Sequence, residues 1–351
     1  MLKVFQKLRR QLLGEGKLRA YFIYAFGEIL LIVIGILIAL QVSNWNESRK
    51  SEDQFKAILE QIYTVLDQDI DRVVLYTNGI SEQINFIDSI QIQPTSIDPA
   101  LLPHLLYYID LDPDHLRSEV SNQLDYLEFN PESLDQSNLN KTLVSYGNSN
   151  EALFLTNWTS TVPILKKANL PIPAMEFGYS TLNNLENIDR SFFNAAEIET
   201  TQNLLANEQL QQALKSTRSK KELDITLLSL HLSLARTCQN AITDYYPKVK
   251  LLYSEIGVVG EATVNNNWTD NIPLTRTDPS GFIWEGELRL NDGFVKFREG
   301  NNWNFNWGGN AFPNGASLSY GKNIQVQAGD YRVVFDLWNK TYQFTRKNAA
   351  Q

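Results

Sequence analysis

Hydrophobic positions along the chain fall into three textures. From Tyr21 to Val42 (YFIYAFGEILLIVIGILIALQV) apolar residues run almost unbroken, with Glu28 the one charge among them. That is about the 20 residues needed to cross a ~30 Å hydrocarbon layer. From Ser51 the spacing changes to three and four residues, at Phe55, Ile58, Leu59, Ile62, Leu66, Ile70, Val73 and Val74. This predicts a long amphipathic helix continuing from the apolar run. Asn78-Gly79 predicts a break, with a second helix to about Ile92. After the turn-rich QIQPTSIDPALLP, helices are predicted over 99–110, 114–128 and 132–147, from Phe193 onward, and over 206–215 and 222–246. Pro247 kinks or restarts the chain there.

After Ser254 the period falls to two. Strands are predicted over 255–260, 271–276, 281–289, 294–299, 302–307, 323–327, 330–337 and 340–346. Asp278-Pro279-Ser280-Gly281, Asn291-Asp292-Gly293, Glu299-Gly300 and Ala328-Gly329-Asp330 supply the turns between them. Short strands at this spacing predict an antiparallel sandwich or barrel. The expected fold class is therefore α+β multidomain. It comprises a basic cytoplasmic segment (1–20), a single transmembrane helix (21–44), an extracytoplasmic helical stalk and bundle (45–253), and a C-terminal antiparallel β-sandwich (254–347).

Charge sets the expected orientation. Lys3, Lys7, Arg9, Arg10, Lys17 and Arg19 precede the apolar run, while Arg49 and Lys50 after it are balanced by Glu47, Glu52 and Asp53. The positive-inside rule then places the N-terminus in the cytoplasm and the bulk across the membrane. A cleaved signal peptide fits less well, because the run is long and no small-x-small cleavage site follows it. Tyr21 and Trp45 suit the two interfaces, and the lipid bilayer is the implied partner of this segment. Glu28 reaches headgroups or water, or joins the small residues Gly27 and Gly35 in helix association. The formal net charge of -9 argues against a nucleic-acid partner.

The stretch GKLRAYFIYAFGEILLIVIGILIALQVSNWNESRK (Gly16 to Lys50) resembles an uncharacterised family of membrane-anchored proteins of Bacteroidota. Its members share a G-K-x-x-x-Y start, a G-E-I-x-L-x-x-x-G-I-L-I-A-L span and an N-W-N-E exit. The resemblance implies a bacterial inner-membrane, single-pass anchor with its bulk in the periplasm, and no established activity.

The middle region offers little chemistry. Its one cysteine, Cys238, sits in an apolar helical pattern and reads as a packed thiol. His104, His115 and His231 are isolated, with no second histidine at metal-ligand spacing. Asp69 and Asp71 read as a solvated helix face. Neither a phosphate-cradling glycine loop nor a nucleophile elbow is present. No cofactor, metal or catalytic residue is expected, and the chain does not read as an enzyme.

Five of the seven tryptophans lie after Ser254: Trp268, Trp284, Trp303, Trp307 and Trp338. In NNWNFNWGG (301–309) aromatics and asparagines alternate, so a strand would place Trp303, Phe305 and Trp307 on one face. Residues 255–346 resemble one repeat of the starch-binding outer-membrane lipoproteins SusE and SusF. The matching elements are Gly260, Ala262 and Trp268; Trp284, Gly286 and Leu288; Gly293, Lys296 and Phe297; Trp303, Asn306 and Gly308; and Asn323 through Leu337. The resemblance implies the sandwich fold and, more weakly, glycan binding. Trp303 and Phe305, inside the repeat pattern, are expected in the core. Trp268, Trp307 and Trp338 lie beside loops and are the expected sugar platforms, with Lys296, Arg298, Asn304 and Asn306 as polar contacts. The first functional reading is a non-catalytic glycan-binding protein, for α-glucan or another glycan. The alternative is an envelope scaffold or sensor that binds protein partners.

Overall fold

A computed structural model describes residues 18–112, 118–149, 158–174 and 188–347. The basic segment up to residue 17, the Tyr21 side chain, His115 and the start of the helix expected from 114 fall outside the described residues. The chain forms two compact units, Met1–Ala57 and Ile58–Gln351.

The first unit is the beginning of helix α1 (Leu18–Ile92). It contains a stretch long and apolar enough to cross a membrane, none of it buried within the protein. Ile29, Leu31, Leu37 and Trp45 are all exposed, and so is Glu28. Among the described residues no other group lies within contact of the Cβ positions of Gly27 or Gly35. Past the apolar stretch the helix surface carries i,i+4 ion pairs, Lys56–Glu52 at 2.9 Å and Arg49–Asp53 at 4.0 Å.

In the second unit α1 is the central element. It runs unbroken through Asn78-Gly79, where a break was expected. Gly79 is buried, and Val73 and Ile80, two turns apart, pack on Leu228. This burial outweighs the ~1 kcal/mol that glycine costs a helix. Among the described residues the other α-helices are α2 (Leu102–Tyr108), α3 (Val120–Leu124), α4 (Leu134–Ser149), α5 (Val162–Lys167), α6 (Ala195–Leu204) and α7 (Glu208–Tyr245). Asn194 begins α6 with a full capping box to Glu197. The two helices expected over 206–246 are one, capped by Asn207 and carrying a row of buried positions from Leu210 to Ile242. A core of Ile87, Ile90, Leu105, Leu106, Leu165 and Leu214 joins α1, α2, α5 and α7. Asp110 fastens it, because one carboxylate oxygen accepts from Thr161 N at 2.6 Å, Val162 N at 3.0 Å and two hydroxyls. It thereby caps α5 from the end of α2.

The sheet region holds eleven short antiparallel strands. These are β1 (Ile256–Gly260), β2 (Asn267–Pro273), β3 (Thr275–Arg276), β4 (Ile283–Leu290), β5 (Gly293–Glu299), β6 (Asn306–Gly308), β7 (Asn314–Ala316), β8 (Leu318–Ser319), β9 (Ile324–Val326), β10 (Gly329–Asp336) and β11 (Thr341–Arg346). One sheet runs β2-β1-β5-β6-β8, with β9 also paired to β5; the other runs β3-β4-β10-β11-β7. Neither closes into a barrel. Inward positions of the two meet where Phe297 stacks on Phe335, ring centroids 4.4 Å apart. A Cβ on Gly308 would overlap the Lys322 carbonyl, so the motif glycine here serves close backbone approach.

Asp69 and Asp71 are not solvated. Both are buried, together with Asp67. Residues 67 and 71 share one face of α1 and residue 69 points the other way. Toward the bundle, Asp69 accepts from Tyr146 Oη at 2.8 Å and from Arg72 at 2.7 Å. Toward the sheets, Asp67 accepts from Tyr253 Oη at 3.0 Å and from Lys340 Nζ at 3.0 Å, while Asp71 accepts from Trp307 Nε1 at 3.0 Å. Lys340 Nζ lies 3.7 Å from Asp71. Burial pushes the Asp69 and Asp71 carboxyls above the usual range, with the neighbouring cations opposing it. Each buried carboxylate meets a specific donor, which offsets part of its desolvation cost.

Candidate functional site

The stretch 301–307 is not one strand. Only Asn306–Gly308 pairs; residues 301–305 turn. The asparagines cause this. Asn302 Oδ1 accepts from Asn304 N at 2.9 Å, and Asn306 Nδ2 donates to Trp303 O at 3.1 Å. Such side-chain-to-backbone bonds compete with the ladder and bend the chain. The alternation is therefore lost between the two tryptophans. Trp307 is fully buried, edge-on to Tyr253 with its indole on Asp71, and is core rather than platform. Trp303, expected in the core, is 42% exposed, and Phe305 is half-buried.

Trp303 stands beside Trp268 of β2, ring centroids 6.1 Å apart and planes tilted by 41°. Arg298 of β5 holds this corner. Its guanidinium carbon lies 4.8 Å from the Trp303 ring centroid. Its nitrogens donate to Asn271 Oδ1 at 2.5 Å, Thr269 O at 2.5 Å, Trp268 O at 3.3 Å and Asn301 Oδ1 at 3.4 Å. The planar fork thus ties β2, β5 and the 300–304 turn together. With 1% exposure and these bonds made, Arg298 positions the tryptophans instead of meeting a ligand. Burial draws its pKa down and Asp270 opposes that, leaving it charged at neutral pH.

The other expected contacts separate. Lys296 and Asn306 are buried and bonded to each other, Nζ to Oδ1 at 2.9 Å, so neither offers an open contact. Burial pulls the Lys296 amine down to about 7. Both sit on the outward face of β5 and β6 but are covered, which strand alternation alone does not reveal. Asn304 is exposed at the rim of the tryptophan corner, its carbonyl accepting from Tyr320. Trp338 is 57% exposed in the β10–β11 turn of the other sheet. It packs edge-on against Phe282 at 4.8 Å and lines a groove of about 420 Å³ with Pro247, Val249 and Asp278. It is separate from the corner. Trp303, Asn271 and Asn301 were not singled out from the sequence as contacts. The outward alternation of Phe294, Lys296 and Arg298 along β5 was the available signal.

Among the described residues no group of three His, Cys, Asp or Glu is placed to hold a metal ion. His231 is buried with its ring tilted by 34° against Tyr146, and burial pulls its pKa down to about 4. Comparison with protein-family models, with curated proteins and with solved structures returned no match.

Proposed function

We propose that this chain is a non-catalytic glycan-binding protein, anchored by the apolar part of α1 in a bacterial inner membrane. In this reading the N-terminus is cytoplasmic, and the two sheets form a β-sandwich presented in the periplasm. The observation that carries it is the Trp268–Trp303 corner, one half-buried and one exposed indole held at a fixed angle from behind. Guanidinium stacking and four hydrogen bonds keep the pair ordered before any ligand arrives, which lowers the entropy cost of binding. Flat aromatic faces match the C–H faces of sugar rings. Asn301, Asn304 and Asp270 around them supply donors and acceptors for hydroxyls. The motif resemblance to SusE and SusF supports the same reading and makes α-glucan the first ligand to try.

The test is calorimetric titration of the full chain, in micelles of a sugar-free detergent, with maltoheptaose and a panel of neutral oligosaccharides, tryptophan emission being followed in parallel. Saturable binding is expected, with the emission change abolished in Trp303→Ala and Trp268→Ala and kept in Trp338→Ala. Absence of any emission change across the panel from a folded chain sinks this reading. The envelope scaffold or sensor, with protein partners, then becomes the better one.

A further inference from the structure

A second surface on the same sheet carries sugar-binding chemistry without a tryptophan. β9 carries Gln325 between the core residues Ile324 and Val326, Asn323 and Gln327 flank the strand, and all three amides are exposed. The three amides thus recur at every second residue and line one groove. Gln325 is the direct cross-strand partner of Phe294, which is 38% exposed. Partners opposite each other in a ladder share a face.

All four residues line a groove of about 750 Å³, together with Asn310 and Phe312 from the segment between β6 and β7. That volume falls in the range of small-molecule sites, roughly 300–1,000 Å³. Among the described residues, none of Asn310, Asn323, Gln325 and Gln327 makes a side-chain hydrogen bond within the protein. Each amide therefore keeps two donors and one acceptor for a ligand. The charged lining residues are one of each sign, Asp292 and Lys322. Asp292 already accepts from Ala328 N at 2.8 Å, and Lys322 faces the Glu82 carboxylate of α1.

We infer that this groove is a second glycan site, taking a neutral oligosaccharide whose hydroxyls pair with the amide row while Phe294 contacts a ring face. Balanced charge disfavours uronic acids and other anionic sugars. Paired donors and acceptors suit vicinal diols. The groove lies at the Gly293 end of β5 and the tryptophan corner at the Arg298 end, about 15 Å along the strand. The inference rests on the glycan-binding reading, but it concerns different residues and a site that tryptophan emission does not see.

The test is equilibrium dialysis of the full chain, in sugar-free detergent micelles, against radiolabelled neutral trisaccharides (maltotriose, cellotriose, laminaritriose and xylotriose). For a trisaccharide that binds, two molecules per chain are expected. The number falls to one in Gln325→Ala/Gln327→Ala and, separately, in Asn323→Ala, with the emission change intact. It also falls to one in Trp303→Ala, with the emission change lost. One molecule per chain, unaffected by the amide variants and lost in Trp303→Ala, overturns the groove and leaves the corner standing. Binding lost in the amide variants and untouched by Trp303→Ala upholds the groove and removes the corner. No binding of any trisaccharide overturns both. The amides have no internal partners, so unchanged far-ultraviolet circular dichroism is expected in every amide variant.

Discussion

Replacing Lys340 with methionine tests how the sheets are fastened to α1. The side chain is shortened little, so packing along the stem is kept and only the ammonium goes. In the native chain that ammonium lies 3.0 Å from both Asp67 oxygens and 3.7 Å from Asp71, and both carboxylates are about 95% buried. Removing one partner from a buried ion pair leaves uncompensated charge and costs ~3–5 kcal/mol. That is a large share of the ~5–15 kcal/mol that stabilises a domain. The loss should depend on pH with a definite sign. Burial already raises the Asp71 carboxyl, and Lys340 opposes the rise. Without Lys340 its folded pKa climbs further above the unfolded value of about 3.9. Across that widened window the folded chain holds more protons than the unfolded one, so stability falls as pH rises through it. The deficit of Lys340→Met relative to wild type is therefore greatest near pH 7.5 and shrinks toward pH 5. Urea unfolding of the full chain in sugar-free micelles, followed by circular dichroism at both pH values, measures it. Adding Asp71→Asn to Lys340→Met should recover part of the loss at pH 7.5. A deficit under ~1 kcal/mol at pH 7.5, or one that grows on acidification, refutes the reasoning.

Two further outcomes are expected. Arg298→Lys keeps the charge but not the fork, so it should lower stability by ~1–2 kcal/mol and weaken emission-detected glycan binding about ten-fold, although no ligand need touch it; titration beside Trp338→Ala checks this. Cys238 is buried, donates weakly to Thr142 O at 3.5 Å, and has its thiol pushed up to about 12 by burial. An aromatic disulfide reagent should label it at least ~100-fold more slowly in the native chain than in guanidinium.

What could be read from the sequence was local. The unbroken apolar run, the three-and-four spacing after Ser51 and the turn residues between strands located most elements, because each signal lies within a few residues of its effect. Asn78-Gly79 misled, since local propensity there yields to packing of Val73 and Ile80 on Leu228, more than 140 residues away. Asp69 and Asp71 misled for the same reason. Nothing near them reveals that Tyr146, Trp307 and Lys340 supply their partners. At the site, Asn304 was legible as exposed, whereas Trp268 is half-buried beside Trp303. The assignments of Trp303 and Trp307 were reversed, because the asparagines that suggested alternation are the groups that bend the chain and end it. Lys296, Arg298 and Asn306 have ligand-like chemistry, but the fold itself uses it.

The partnership of Asp67 with Lys340 has a consequence for biosynthesis. The two are separated by 273 residues. The carboxylates of α1 emerge from the ribosome long before the cation that neutralises them exists. Closing a loop of that length carries an entropic cost that grows as the logarithm of its size, ~5 kcal/mol plus a constant. The Asp67–Lys340 contact therefore cannot form until the β10–β11 turn has emerged. α1 can pack on α2, α5 and α7 first, while its sheet-facing acids wait until the β10–β11 hairpin has been released. A ribosome stalled anywhere between them leaves a nascent chain with buried-type acids in water and apolar flanks uncovered, a natural client for chaperones and for quality-control proteases.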